Sequence, residues 1–228
     1  MIARSFVVAI DGPAASGKGT LARRLAERFG LAHLDTGGLY RATALLVLEA
    51  GADPADLASA AAAARRVDQR VLADPRLRGA TVAAGSSVVA AHPAVRHILL
   101  QFQRDFAAHP PPLAGGRAAS GAVLDGRDIG TVVCPQADLK LFLTADVAVR
   151  AKRRAEELRA RGAASIYEAV LQDLTERDAR DSARRDAPLS VAPGAIIIDT
   201  TALDADAVLE RVADITRRAL DHARSGAA

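Results

Sequence analysis

The feature that most constrains this chain is segment 6–21, in which a short apolar run leads into closely spaced glycines. Residues 6–10 are continuously apolar and partly β-branched, which is typical of a central parallel strand buried on both faces. Four residues separate Gly12 from Gly17, and Lys18 follows directly. Between a strand and a helix, this is the spacing of a phosphate-binding loop.

The spacing has a physical basis in the way a backbone surrounds an anion. Glycines let the N–H groups turn inward, the next helix presents its positive end, and Lys18 can reach the outer phosphates. The alternative is a glycine-rich turn, which does not require strand, loop and helix in this order. Gly19 departs from the pattern because a Ser or Thr usually contacts Mg²⁺ there, and Thr20 comes one residue later.

Length and composition favour one domain. A chain of 228 residues suits one well-buried α/β domain and is too short for two large ones. The net charge is +3, with arginines and acidic residues interleaved, which is weak support for nucleic-acid binding. Lysine occurs at positions 18, 140 and 152 alone, so most positive charge is guanidinium. Guanidinium suits bidentate phosphate contacts, although genomic base composition explains the bias equally well.

Cysteine and hydropathy bear on the compartment. Cys134 is the single cysteine, so no disulfide can form within the chain. The five histidines show no metal-ligand spacing with Cys134 or with one another. The N-terminal apolar run is too short for a signal peptide, and no later run could span a bilayer. We therefore expect a cytoplasmic protein that does not bind membranes.

Apolar runs of strand length alternate with helical patterns, which predicts an α/β fold with a doubly wound parallel sheet and helices on both faces. The predicted strands are 6–10, 31–34, 122–125, 139–143 and, as a final buried strand, 195–198. The predicted helices of the first half are 20–29, which Gly30 caps, 39–50, which follows a turn at 35–38, and the alanine-rich run 58–64. Later helices are predicted after Pro93, after Asp146, from a capping box at 165–168, and over 205–223. Asp53-Pro54 and Asp74-Pro75 predict two further helix starts.

Charged residues fall at the ends of predicted strands. Asp11, Asp35, Asp125 and Arg127 all lie there, and ligands of open parallel sheets bind beyond the carboxyl ends of the strands. Arg41 is predicted in the first turn of the helix from Leu39. A cation in that turn opposes the helix dipole, so an anionic ligand explains it better than helix stability does. A solvated surface arginine is the alternative.

The arginines form two groups on the sequence-based picture. One group is Arg41, Arg96 and Arg127, and the other is Arg150, Arg153, Arg154, Arg177 and Arg184. Two groups imply more phosphate than one nucleotide supplies, which favours phosphoryl transfer between two bound phosphates. Such transfer needs in-line positioning and fixed positive charge rather than a covalent nucleophile. For the dense charges of 175–186, a solvated helix face is the alternative.

Four motifs together resemble bacterial cytidylate kinases. They are residues 12–20, 35–41, 125–131, and 176–181 with Arg184. The resemblance covers almost the whole chain and implies a P-loop NTPase-type sheet with an acceptor-binding region at about 36–107 and an arginine-rich lid at about 153–167. It implies transfer of the γ-phosphate of ATP to CMP or dCMP with Mg²⁺. The insert at about 52–91 is shorter than in many relatives, which leaves its strand content open.

The resemblance also implies roles for individual residues. The ATP-binding residues would be Gly12, Pro13, Ala14, Ala15, Ser16, Gly17, Lys18, Gly19, Thr20, Arg153 and Arg154. The CMP-binding residues would be Thr36, Arg41, Ser87, Arg96, Arg127, Asp128, Arg177, Asp181 and Arg184. Lys18, Arg127 and Arg184 would be catalytic, and Thr20 or Asp125 would contact Mg²⁺. Asp128 would read cytosine; alternatively, it anchors Arg127 by a salt bridge.

Three other functions remain possible on the sequence. One is a small P-loop kinase acting on AMP, UMP or a small metabolite. A second is a GTP-binding switch, which the absence of Asn opposes because the usual Asn-Lys-x-Asp guanine reader cannot exist. The third is a nucleic-acid binder, whose affinity would fall steeply with salt. We expect a monomer with ATP and CMP or dCMP as its partners and without bound nucleic acid.

Overall fold

The computed structural model describes residues 5–160, 162, 164–184 and 186–225, apart from the side chain of Gln69. Its strands are β1 (Phe6–Asp11), β2 (Ala32–Asp35), β3 (Gly121–Asp125), β4 (Leu139–Thr144) and β5 (Ile196–Asp199). Within this described part they form one sheet in the order β2-β3-β1-β4-β5. Strand β1 pairs in parallel with β3 and with β4, and β4 pairs in parallel with β5. The predicted parallel α/β sheet is confirmed.

Helices connect and follow the strands. They are α1 (Lys18–Phe29), α2 (Thr36–Glu49), α3 (Leu57–Ala64), α4 (Gln69–Leu72), α5 (Ala80–Val89), α6 (Pro93–Ala108), α7 (Val147–Ala160), α8 (Tyr167–Ser182) and α9 (Ala205–Ser225). Short 3₁₀ helices lie at Pro75–Arg78 and Ala114–Gly116, and a π-helix lies at Ile129–Val133. Among the described helices, none combines the length and the hydropathy needed to cross a bilayer.

The chain divides into two compact units. The first unit runs to Leu34 and resumes at Ala107, and the second is Asp35–Phe106. The limits of the second unit lie within one residue of those predicted for the acceptor-binding region. The number of domains stays a prediction.

The core of the first unit lies between the sheet and two helices. All six residues of β1 are buried, as expected for the middle strand of a parallel sheet. Its Val8 and Ile10 belong to the same apolar cluster as Leu25 of α1 and Val212 of α9. Each such side chain contributes roughly 1.5–3 kcal/mol on full burial. This packing holds the end of β1, where the phosphate loop begins, in a fixed place.

Helix α2 begins three residues earlier than predicted. The carboxylate of Asp35 accepts the backbone N–H of Gly38 at 3.1 Å and so caps a helix that starts at Thr36. The segment interpreted as a turn is therefore the first helical turn. Arg41 consequently lies in the second turn, and its guanidinium pairs with Asp35. The dipole argument for an anion at Arg41 was wrong, because that helical position is not in the first turn.

The insert at 52–91 is helical wherever it is regular, and the backbone of each of its residues is described. Asp53-Pro54 does not start a helix, because Asp53 accepts the N–H of Ala55 within a turn. Helix α3 begins after Asp56, whose carboxylate accepts the N–H of Ser59 at 2.9 Å. Asp74 does cap a helix, although this is the 3₁₀ helix Pro75–Arg78 and not an α-helix.

Two predictions in the C-terminal half were wrong. The capping box at 165–168 does not form: Ile166 is the N-cap residue of α8, and the hydroxyl of Ser165 donates to the carbonyl of Ala155 instead. Strand β5 is not buried on both faces, since Ile196 is 40% and Ile197 54% exposed. The reason is its place at the edge of the sheet, which local hydropathy does not reveal.

Candidate functional site

The predicted phosphate loop has the backbone conformation that its function requires. Gly12 has a φ of 144°, and a Cβ there would lie 2.0 Å from the carbonyl oxygen of Leu143. Glycine alone therefore allows the loop to leave β1 against β4. Ala15 takes a left-handed φ of 58°, and Gly17 does so at 92° as the N-cap residue of α1. Successive right- and left-handed residues turn backbone N–H groups toward a common point, where an anion binds.

Lys18 lies inside this loop. Its Nζ donates to the carbonyl oxygen of Pro13 at 2.6 Å and is 3.4 Å from Oγ of Ser16. Burial lowers the pKa of Lys18 well below its usual value, and the positive charge of Arg127 lowers it further. An anionic phosphate in the loop would favour the charged ammonium again. The protonation of Lys18 should therefore depend on whether a phosphate is bound in the loop.

Asp11 joins the end of β1 to the motif that follows β3. Its two carboxylate oxygens accept the backbone N–H groups of Ile129 at 2.8 Å and of Gly130 at 2.7 Å. These residues begin the π-helix, a rare element that often occurs at functional sites. Burial raises the pKa of Asp11 to about 6, against the opposing effect of the two N–H donors. From the sequence, Asp11 was expected at a strand end and had no individual role. The pattern that could have indicated one is a carboxylate that directly follows a wholly apolar strand.

Asp125, at the end of β3, faces the start of α1. Its Oδ1 lies 3.9 Å from where a Cβ on Gly19 would be, and its Oδ2 lies 2.8 Å from Nε2 of His33. Among the described residues, no three His, Cys, Asp or Glu side chains form a metal cage. Mg²⁺ in nucleotide enzymes takes one or two carboxylates and completes its shell with phosphates and water. Asp125 fits that role, whereas Thr20 is exposed.

The sequence patterns did not indicate His33 as a residue of the site. The spacing of the histidines suggested no metal site, and His33 lies on β2 opposite a carboxylate 92 residues away. Because His33 lies between two buried residues of β2, Ala32 and Leu34, its side chain is expected on the opposite face of the strand from theirs. This pattern does not predict its partner.

Asp181 brings together two arginines that the sequence assigned to the site. Asp181 is 1% exposed, and its carboxylate pairs with Nε of Arg127 at 2.8 Å and also with the guanidinium of Arg184. Burial raises the pKa of Asp181, but the charges of Arg127 and Arg184 lower it by more, and the net pKa is below the usual value. Arg177 adds to the positive potential there. The predicted contact of Asp181 with CMP stays a prediction.

The two arginines assigned to ATP on α7 already have partners. Arg153 donates to the carbonyl oxygens of Thr200 at 2.6 Å and of Leu203 at 3.1 Å. Arg154 pairs with Glu157 one turn further along the same helix. Their contact with ATP stays a prediction.

In the second unit, the predicted acceptor residues gather around α2. Thr36 is its buried first residue, and Arg41 is held by Asp35. The guanidinium of Arg96, on α6, lies over the ring of Tyr40 with its carbon 5.7 Å from the ring centre, a cation–π geometry. Ser87 lies half-buried on α5. The contact between Tyr40 and Arg96 was not predicted, because it joins two helices far apart in sequence.

The loop, the parallel sheet and the anchored arginine pair define a P-loop kinase of the nucleoside monophosphate type. The family model of cytidylate kinase matches residues 8–218. The chain therefore belongs to the cytidylate kinase family, and the resemblance seen in its motifs is confirmed. This membership assigns to it the phosphorylation of CMP or dCMP with ATP.

Similar proteins cover nearly the whole chain. It is 54% identical over 210 residues to a cytidylate kinase of Rhodospirillum rubrum, covering 92% of this chain and 96% of that protein. It is 51% identical over 221 residues to a cytidylate kinase of Methylocella silvestris, covering 97% and 98%. Among solved structures, an uncharacterized protein of Eubacterium ventriosum has a TM-score of 0.52 and 16% identity, covering 93% of this chain and 98% of its own. That likeness supports the fold alone.

Proposed function

We propose that the chain transfers the γ-phosphoryl group of ATP to CMP or dCMP through Lys18, Arg127 and Arg184. Membership of the family supplies the reaction class. The structural observation that carries the residue assignment is the pairing of Arg127 and Arg184 with one buried carboxylate, Asp181, in the unit that contains the phosphate loop. Prepositioned guanidinium groups stabilise developing charge without reorganising during the reaction.

The proposed reaction is a displacement at the γ-phosphorus. A phosphate oxygen of CMP forms a bond to it while the bond to the β,γ-bridging oxygen of ATP breaks, and ADP leaves. The enzyme needs to align the groups and neutralise charge, so no protein nucleophile takes part. Lys18 would follow the migrating group, and Arg127 and Arg184 would contact it or the acceptor phosphate.

For ATP, we propose contacts from the whole loop, Gly12 to Thr20. Its N–H groups and the start of α1 would hold the phosphates. Arg154 could reach ATP at little cost, because its pair with Glu157 is solvent-exposed. Arg153 would have to give up its hydrogen bonds to the two carbonyl oxygens in order to bind the nucleotide. Alternatively, it would bind the nucleotide with N–H groups that these carbonyl oxygens do not use.

For the acceptor, we propose contacts from the residues that the family resemblance assigns to CMP. They are Thr36, Arg41, Ser87, Arg96, Arg127, Asp128, Arg177, Asp181 and Arg184. Arg41 has five N–H donors, and its pair with Asp35 leaves some of them for a phosphate. Asp128 would accept a hydrogen bond from the exocyclic amino group of cytosine.

We propose Mg²⁺ as the cofactor, held by Asp125 together with the nucleotide phosphates; Thr20 is the second candidate. When bound, the ion neutralises charge on the β- and γ-phosphates.

We further propose a cytoplasmic monomer with an arginine-rich lid at about 153–167, of which residues 161 and 163 lie outside the described part. Hydrogen exchange of the lid should slow when ATP and CMP sites are both filled, and equal exchange in free and filled enzyme would exclude it.

The test of the function is a panel of acceptors. CMP, dCMP, UMP and AMP are each incubated with ATP and Mg²⁺, and ADP release is followed by a coupled assay. The proposal expects kcat/KM for CMP and dCMP to exceed the values for UMP and AMP. A preference for AMP or UMP would indicate a different P-loop kinase.

A further inference from the structure

Arg150 on α7 is buried to a degree that is rare for arginine, with 5% of its surface exposed. Its Nε donates to the carbonyl oxygen of Ala145 at 2.9 Å. Its Nη1 donates to the carbonyl oxygen of Ala14 at 3.1 Å and lies 2.7 Å from Oδ2 of Asp178. Because Nη1 carries two hydrogens, it can serve both oxygens at once. One guanidinium therefore links α7, α8 and the phosphate loop.

The contact with Ala14 controls the orientation of a loop amide. The described peptide bonds include no cis bond, and in a trans peptide the C=O and the N–H point in opposite directions. With the carbonyl of Ala14 directed at Arg150, the N–H of Ala15 is directed away from it. Ala15 also has a left-handed φ of 58°, which is unfavourable for a residue with a Cβ and needs support from its surroundings.

Two further contacts support the same part of the loop. Ala14 packs in an apolar cluster with Ala151 of α7 and Leu174 of α8. On the other side of Ala15, the hydroxyl of Thr200 lies 3.3 Å from the carbonyl oxygen of Ser16. The residues on either side of Ala15 are therefore both held by contacts from outside the loop.

We propose that Arg150 is a positioning residue for phosphate binding: it directs the Ala15 N–H at a phosphate of ATP and does not itself contact the nucleotide. The inference rests on the proposed use of the loop for ATP. Asp178 balances the charge of Arg150, so the guanidinium contributes geometry rather than net charge. This differs from the sequence-based grouping, which placed Arg150 among the phosphate-binding cations.

The probe that separates the two roles is inorganic tripolyphosphate, which has phosphates and no nucleoside. We compare Arg150→Met with the unchanged enzyme by calorimetric titration of ATP and of tripolyphosphate. The expected result is a loss of about ten- to a hundredfold in both affinities, by the same factor, because a misdirected N–H is lost to the phosphates in each case. Weaker ATP binding with unchanged tripolyphosphate binding would place Arg150 on the nucleoside and overturn the proposal.

Arg150→Met leaves Asp178 without its partner and could lower stability by itself. The variant Arg150→Met/Asp178→Leu removes both charges, so its melting temperature should lie closer to that of the unchanged enzyme while its tripolyphosphate affinity stays low. Recovery of that affinity together with stability would show a purely structural role and overturn the proposal. Asp178→Asn keeps the donor to Ala14 and should bind tripolyphosphate within about threefold of the unchanged enzyme.

Lys152→Met is the matched control, because Lys152 is an exposed cation on the same helix. It should bind ATP and tripolyphosphate as the unchanged enzyme does. If the wild-type enzyme bound neither ATP nor tripolyphosphate, the proposed function itself would be contradicted. A functional enzyme whose Arg150→Met variant binds both ligands normally would contradict this inference alone.

Discussion

Asp11 and Asp181 are both almost completely buried carboxylates of the first unit, yet their pKa values shift in opposite directions. Burial raises the pKa of Asp11 to about 6, and its hydrogen-bond partners are two backbone N–H groups. Burial acts on Asp181 in the same sense, but Arg127 and Arg184 reverse the result. Neutral donors thus compensate part of the desolvation of a carboxylate, whereas two guanidinium groups overcome it.

The difference separates two kinds of support within one unit. Asp11 fixes backbone, namely the start of the π-helix beside Arg127 and Asp128. Asp181 fixes the charged side chains of the site. The region around Asp11 should therefore respond to pH near 6, and the region around Asp181 should keep its charges there.

Removal of the negative charge of Asp181 should change the stability of the protein most. Asp181→Asn removes the buried carboxylate that pairs with the half-buried Arg127 and Arg184, and the free energy of unfolding should fall by roughly 3–5 kcal/mol. Urea unfolding at pH 7 measures it. Asp173→Asn, an exposed position on the same helix, is the control and should change stability by about 0.5 kcal/mol or less. Similar losses in the two variants would mean that the arginines do not depend on Asp181.

A second prediction concerns Lys18, whose charge acts on Asp11 and which is itself affected by Arg127. Lys18→Ala should lower turnover on CMP by about 10²–10³, because a charge on the migrating group is lost. The pKa of Asp11, followed by NMR, should rise further. Lys152→Ala is the control and should leave both quantities unchanged. Near-normal turnover of Lys18→Ala would refute the phosphate-loop assignment.

The stability that Asp11 contributes should depend on pH. Because the pKa of Asp11 rises from 3.8 to about 6 on folding, the folded protein binds more protons than the unfolded chain between these values. The contribution of Asp11 to stability therefore falls as pH rises through this window. The free energy of unfolding of the wild-type protein minus that of Asp11→Asn should decrease by roughly 2–2.5 kcal/mol between pH 4 and pH 7. A difference that does not vary with pH would contradict the shift.

The smallest effect is expected at Asp128, whose negative charge contributes to the raised pKa of Asp11. If Asp128 reads cytosine, Asp128→Ala should reduce the ratio of kcat/KM for CMP to that for UMP by about one to two decades, mostly through the CMP value. Cytosine offers an amino donor where uracil offers a carbonyl acceptor, and an ionised carboxylate can only accept. If Asp128 merely anchors Arg127, both values should fall alike and the ratio should stay constant.

Local patterns were sufficient for the elements whose causes are local. Three local features predicted β1, the loop and α1, namely the apolar run before Gly12, the spacing of the glycines and Lys18. They were sufficient because the burial of a strand and the geometry of this loop depend on residues that are adjacent in the sequence. Asp35 shows the limit of such patterns. An aspartate two residues before a pair of glycines suits a turn as well as a helix cap, and the packing of α2 decides between them.

The family, the parallel α/β class and the residue types expected at the site, including Lys18 and the arginines, follow from the motifs, because the motifs carry them in fixed spacing. Which carboxylate holds which group depends on the packing of the folded chain. Asp11 bonds to Gly130 across 119 residues, and Arg150 bonds to Ala14 across 136. The exposure of β5 was likewise decided by strand order. Such contacts depend on how distant elements pack, and hydropathy, caps and motif spacing describe only neighbours along the chain.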